Sequence, residues 1–346
     1  MQQAGPAGEL TSTQIDARAL TRALASYRGP NLARSIVEIL ITAAPLALAW
    51  TLMWAALSLG YFWLYIVLAV PTAGFLVRIF IIQHDCGHHS FFRSHRANDV
   101  LGFLCGIFTA TPYACWRRAH ARHHVTSGNL NHRGHGDVGT LTVEEYLGRS
   151  RAGRMKYRLY RHPLVMFFLG AGFLFIIRQR FTYGIPRSWH RERRSVHATN
   201  LGILIVMAIG SWLIGLPTFL MIELPVITLG AAAGSWLFFV QHQFEGAYWQ
   251  PQQEWDFTRS ALEGSSYYRL PRVLQWFTGN IGYHHIHHLN SHIPNYNLPA
   301  CYAAEPAFRQ AITLDLRDGL QCVSLKLWDE RLHRMVTFAE AHARAA

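Results

Sequence analysis

Charge is what this sequence has least of. Of its 346 residues only 15% are Asp, Glu, Lys or Arg, against 51% hydrophobic, and soluble domains carry roughly 25% charged residues. With a mean hydropathy of +0.09, that shortage argues against a water-soluble protein and for an integral membrane protein. Other features are missing too. The five cysteines (Cys86, Cys105, Cys115, Cys301, Cys322) are scattered and form no CxxC, which points to free thiols in a reducing compartment or facing lipid. No GxxxxGK[ST] phosphate loop occurs, and no HExxH that would mark a zinc protease. There is no low-complexity tract, and no internal repeat beyond two apolar hairpins.

The charge that is present has one dominant sign, a net +12. Its basic residues lie in blocks between long apolar runs, which fits an anionic membrane surface better than nucleic acid. One apolar block covers about 36–82 and a second about 198–240. A single span needs about 20 residues, so each block has room for two. The expected fold is an all-α integral membrane protein with four transmembrane helices, at 36–57, 61–82, 198–216 and 218–240, arranged as two hairpins. Neither hairpin turn contains Lys or Arg, so both termini and the segments between hairpins belong on one side, the cytoplasmic one. Residues 1–35 read as a polar N-terminal segment, loosely ordered or an amphipathic surface helix, and 36–346 as one membrane domain with its cytoplasmic cap at 83–197 and 241–346. Residues 100–111 and 164–177 are too short to span and are placed in the interface, the latter optionally re-entrant. Arg78, near the end of the second span, is expected to snorkel. Residues 314–339 alternate at helical spacing and read as an amphipathic part of the cap.

Histidine is abundant, with 20 residues, and it clusters. HDCGHHSFF occupies 84–92, HARHH 120–124 and GYHHIHH 282–288, with a further His242 in QHQFE at 241–245. On helices, His84 and His88 share a face, as do His120, His123 and His124, and His284, His287 and His288. With His242 these make nine imidazoles, more than one tetrahedral zinc needs and enough for two metals at higher coordination. Imidazole suits iron, copper, zinc or nickel. Asp85, Asp137, Glu245, Asn280 and Asn290 are candidates to accept the distal ring N–H groups. His89, His95, His132, His135, His285 and His292 are read as outer-shell or solvent-facing. A His-rich divalent-metal transporter is disfavoured, because the clusters fall outside the spans whereas transporters bind near the midplane.

The set HDCGHHSFF, HARHH and GYHHIHH resembles the three histidine boxes of membrane fatty-acid desaturases. GYHHIHHLNSHIPNYNL at 282–298 is especially similar to acyl-lipid Δ12 (omega-6) desaturases, and 241–245 matches the segment bearing their extra histidine. The resemblance implies a diiron centre of two non-haem irons held by His84, His88, His120, His123, His124, His242, His284, His287 and His288. It further implies dioxygen as co-substrate, a cis double bond inserted into a fatty-acyl or acyl-lipid substrate, and two electrons from an external donor such as a ferredoxin, with membrane lipids as surroundings and no nucleic-acid partner. Phe91, Phe92, Trp116, Trp236 and Phe239 are candidates to line an acyl tunnel. The same boxes serve acyl-lipid hydroxylases and carotenoid ketolases or hydroxylases, which are the alternative reading.

Overall fold

The computed structural model describes residues 17–134 and 138–343; Asp137 and His135 lie outside them. Four helices are long and apolar enough to cross a membrane: Leu32–Ser58, Phe62–Gly87, His190–Ile214 and Leu216–His242. Each overruns its apolar run at the histidine-bearing end or the polar entrance. The first starts at Leu32 because Asn31 accepts the backbone N–H of Arg34 at 3.1 Å, a helix N-cap. The second continues past 82 to Gly87, the third begins at His190 and not 198, and the fourth ends on His242 itself. Hydropathy marks the part that suits lipid, whereas backbone hydrogen bonding carries the helix on into polar turns. Residues 59–61 join the first pair of helices. Only Gly215, with φ 82°, separates the second pair, a backbone conformation that favours glycine.

The second helix is the central one: half of its apolar stretch is buried, against 11% for the third. It packs on the first and the fourth helices, through Tyr65, Ala69 and Leu76 against Met53, Ile222 and Val226. Arg78 does not snorkel. Its side chain is buried and bonds Glu38, Thr42 at 3.0 Å and the Trp276 carbonyl, with the guanidinium 4.1 Å from the Trp276 ring. A carboxylate on the first helix gives it an internal partner, so it ties the first two helices to the segment 272–277.

Beyond the apolar helices lie shorter elements. Helices His95–Phe108 and Tyr113–Thr126 follow the second apolar helix. Residues 164–177 are helical with π-type turns, and the 164–180 stretch bends 63° from helix Arg151–Tyr160. The fold is mainly helical but not wholly so. Leu141–Thr142 pairs parallel with Leu327–Asp329, which pairs antiparallel with Arg334–Val336; Tyr267–Tyr268 pairs parallel with Thr313–Leu314. The tail is therefore not one amphipathic helix. Asp315 caps a short helix, Leu316–Cys322, and the strand Leu327–Asp329, buried at all three residues, follows. These short ladders stitch the tail to the loops 138–142 and 265–268.

Of the polar segment 1–35, residues 1–16 lie outside the described residues; from residue 17 on it packs against the rest of the fold. Helix Ala17–Ala25 turns Leu20 and Leu24 inward against Ile286, Ile293 and Phe308. Its apolar face covers the helix His284–Leu289, which carries the third histidine cluster.

Candidate metal centre

Helix ends bring the histidines together. His84 sits in the last turn of Phe62–Gly87 and His88 caps it; His120, His123 and His124 lie on Tyr113–Thr126; His242 ends the fourth apolar helix; His284, His287 and His288 lie on His284–Leu289. Their rings form two groups, each with donor atoms within 4.8 Å of one another: His84, His88, His120, His124 and His287, and then His123, His242, His284 and His288. All nine predicted rings are in one group or the other. Each three-histidine cluster divides, however. Residues four apart stay together (His120 with His124, His284 with His288), while the intervening His123 and His287 cross to the other group. Successive residues on a helix turn by about 100°, so neighbours such as His123 and His124 aim at different points.

The ring nitrogens lie very close. His242 Nε2 is 2.9 Å from His284 Nε2, and His123 Nε2 is 3.1 Å from His242 and 3.2 Å from His288. In the other group His124 Nε2 is 3.0 Å from His287 and 3.1 Å from His120. A neutral ring nitrogen either donates or accepts, so a nitrogen facing two others cannot serve both as ordinary hydrogen bonds. Nitrogens about 2.1 Å from a shared cation would stand about 3 Å apart at right angles, which matches. Buried Nε2 atoms of His84 and His88 have no hydrogen-bond partner among the described residues. Burial, reinforced by neighbouring rings, holds His88, His120, His124, His284, His287 and His288 well below the ordinary imidazole pKa of 6.5. They are neutral at pH 7, the form that ligates metal. The donor set fits two imidazole-liking metal ions.

The groups differ in access. His123, His242, His284 and His288 are all buried, whereas His88 and His120 are partly exposed. Trp116 stacks on His120 at 4.6 Å, and Phe238, one helical turn before His242, packs 5.0 Å from His123. Of the five aromatics proposed for a tunnel, Trp116 touches the rings; Phe91 and Phe239 pack in core clusters, with Phe92 and Trp236, partly buried, against them. Phe238 escaped the sequence reading, although its spacing of four from His242 is the signal that finds it.

Outer contacts sort the predicted supports. Asp85 Oδ1 lies 3.3 Å from His84 Nδ1, and its Oδ2 accepts both the backbone and side-chain N–H of Asn295 at 2.8 Å. Asn280 reaches only the Asn295 carbonyl, at 3.2 Å, and Asn290 accepts the His292 backbone N–H. Glu245 is exposed and pairs with Arg334 at 2.9 Å; it follows the buried end of the helix, and its side chain points to the tail. The Gly264 carbonyl, 3.1 Å away, faces His242 Nδ1 instead, a backbone contact no residue pattern encodes. His285 is fully buried among Tyr302 and Phe308, and burial pulls it to about 3. His292 Nδ1 lies 3.1 Å from the His88 carbonyl.

Sequence comparison places this arrangement among known proteins. A family profile described as fatty acid desaturase matches residues 61–314. A fatty acid desaturase of Bacillus subtilis is 42% identical over 319 residues, 92% of this chain and 90% of its own. An sn-1 oleoyl-lipid 12-desaturase of Synechocystis is 24% identical over 75% of this chain and 72% of its own. A fatty acid conjugase of Calendula officinalis is 27% identical over 70% of this chain and 68% of its own.

Proposed function

The chain belongs to the fatty acid desaturase family and is an oxidoreductase, and from that premise we propose that it inserts a cis double bond of the Δ12 (omega-6) type into an acyl chain of a membrane lipid. The observation that carries this reading is the pairing of a five-imidazole and a four-imidazole group at the ends of two apolar helix pairs. The nine histidines would hold two iron ions, His84, His88, His120, His124 and His287 one, His123, His242, His284 and His288 the other. Iron bound there would supply, with dioxygen, the oxidising power to take hydrogen from an unactivated methylene, which redox-inert zinc lacks.

The chain's own residues do the rest. Asp85, held by Asn295, orients His84 through its Nδ1, and the Gly264 carbonyl does so for His242. Phe238 and the buried setting of the four-ring group keep water from the reacting methylenes. In balance, two hydrogens leave adjacent carbons, and dioxygen takes four electrons and two further protons from the medium to form two waters, two electrons coming from the substrate and two from a separate donor such as a ferredoxin. The four helices cross the membrane as two hairpins, residues 36–346 form one domain, and both termini and the metal centre face the cytoplasm, where the basic segments meet anionic lipid.

Expression in a host lacking polyunsaturated lipids, beside a His123→Ala control, tests this by mass spectrometry of the acyl chains. A new double bond absent from the control supports desaturation and locates it. A hydroxylated or conjugated product, or a product on a carotenoid, replaces the reading with another oxidation by the same centre.

A further inference from the structure

Where the second apolar helix ends between His84 and His88, its last carbonyls need partners from outside the helix. Two receive side chains: the Tyr113 hydroxyl donates to the Cys86 carbonyl at 2.8 Å, and Arg117 Nε donates to the Gly87 carbonyl at 3.0 Å. One carboxylate holds both side chains from behind. Asp99 Oδ1, on helix His95–Phe108, accepts from Arg117 Nη1 at 3.3 Å, stands 3.2 Å from the Tyr113 hydroxyl, whose single proton it shares with the nearer Cys86 carbonyl, and lies 3.3 Å from His89 Nε2. Its Oδ2 accepts from Arg191 at 2.8 Å. The preceding residue, Asn98, clamps the far side of the same loop by bonding the Phe92 N–H and carbonyl at 3.0 and 2.7 Å. Space is tight here, since a Cβ on Gly87 would stand 2.6 Å from the Trp116 ring that stacks on His120.

We propose that Asp99 is a positioning residue of the metal centre, acting through Tyr113 and Arg117 on the turn that carries His84 and His88. The inference rests on the reading of the nine rings as metal ligands. Asp99 reaches none of the nine in the described structure, but it sets the two donors that fix carbonyls 86 and 87. A metal site tolerates only about 0.5 Å of misplacement in its ligands. Loss of the carboxylate therefore loosens the five-ring group and leaves the four-ring group, which takes nothing from this turn, as it is.

The test uses the full chain, purified in lipid nanodiscs, stripped of metal and titrated anaerobically with ferrous iron. Wild type is expected to bind two equivalents. Asp99→Ala is expected to weaken one of them about ten- to hundredfold and leave the other unchanged. Asp99→Asn keeps an oxygen acceptor and is expected to fall between, with an apo melting temperature within about 2 °C of wild type. Two tight equivalents in both variants would overturn the assignment. So would equal weakening of both ions together with a lower apo melting temperature, which marks Asp99 as a general support of the fold. If wild type takes up no iron, the metal reading itself fails and the role of Asp99 falls with it.

Discussion

The two halves of the centre are built from the same side chain yet sit in different surroundings. The five-ring group reaches toward solvent through His88 and His120, and two side chains of the neighbouring helix Tyr113–Thr126 brace its turn; the four residues of the other group are all buried. Each three-histidine cluster contributes two rings to one group and one to the other. The lesson is that the unit of the site is the helix turn, not the sequence cluster: one turn of helix sends rings into both groups at once, which also fixes the distance between the groups.

The most demanding test of that comparison uses neighbours in the chain. His123→Ala and His124→Ala remove adjacent rings from opposite groups. Each is expected to lower desaturation by at least about a hundredfold, with iron titration showing a different ion weakened in each. If both variants lose the same ion, the division into five and four is wrong.

A smaller effect should separate support from ligation. Asn295→Ala takes both donors from Asp85 Oδ2 and frees the carboxylate beside His84. We expect a ten- to hundredfold loss of affinity for the ion of the five-ring group, and competition with a chelator of known affinity would measure it. An equal loss at both ions would mean that the two halves are mechanically one.

Acid should act on both halves alike. The six rings held below 6.5 stay neutral in the folded apoprotein, while the unfolded chain takes up protons as pH falls through about 6.5. The unfolded state then binds more protons, so apo stability falls with decreasing pH. Melting of the apoprotein from pH 7.5 to 5 should show a progressive drop beginning near 6.5, and iron should suppress part of it. A flat profile would show that the folded rings protonate freely.

The smallest expected effect belongs to Glu245, which adjoins His242 in sequence and leads away from it in space. Glu245→Gln should change stability by no more than about 0.5 kcal/mol and leave iron content at the four-ring group intact. A loss of iron would return Glu245 to the centre.

Much of this molecule is legible in its residues. Long apolar runs, with Arg78 the basic residue inside them, announce four helices long and apolar enough to cross a membrane, because lipid leaves no other way to satisfy a spanning backbone. HxxxH and HxxHH spacing announces rings that gather at one place, because helical periodicity puts them within reach of one another. Residues whose partners lie far along the chain were not legible. Arg78 reads as a snorkelling cation until Glu38 is found beside it, and Glu245 reads as a support until Arg334 claims it. Asp99 carries no motif, and its meaning comes from Tyr113, Arg117 and Arg191, drawn to it from two other helices.

The sequence by itself thus determined the four long apolar helices and the nine converging histidines, since each follows from composition or local periodicity. Only the tertiary structure decided which ring joins which group, which carboxylates brace them and which group is the more buried. Those depend on the angle at which helices from distant parts of the chain meet, and no local pattern carries that angle.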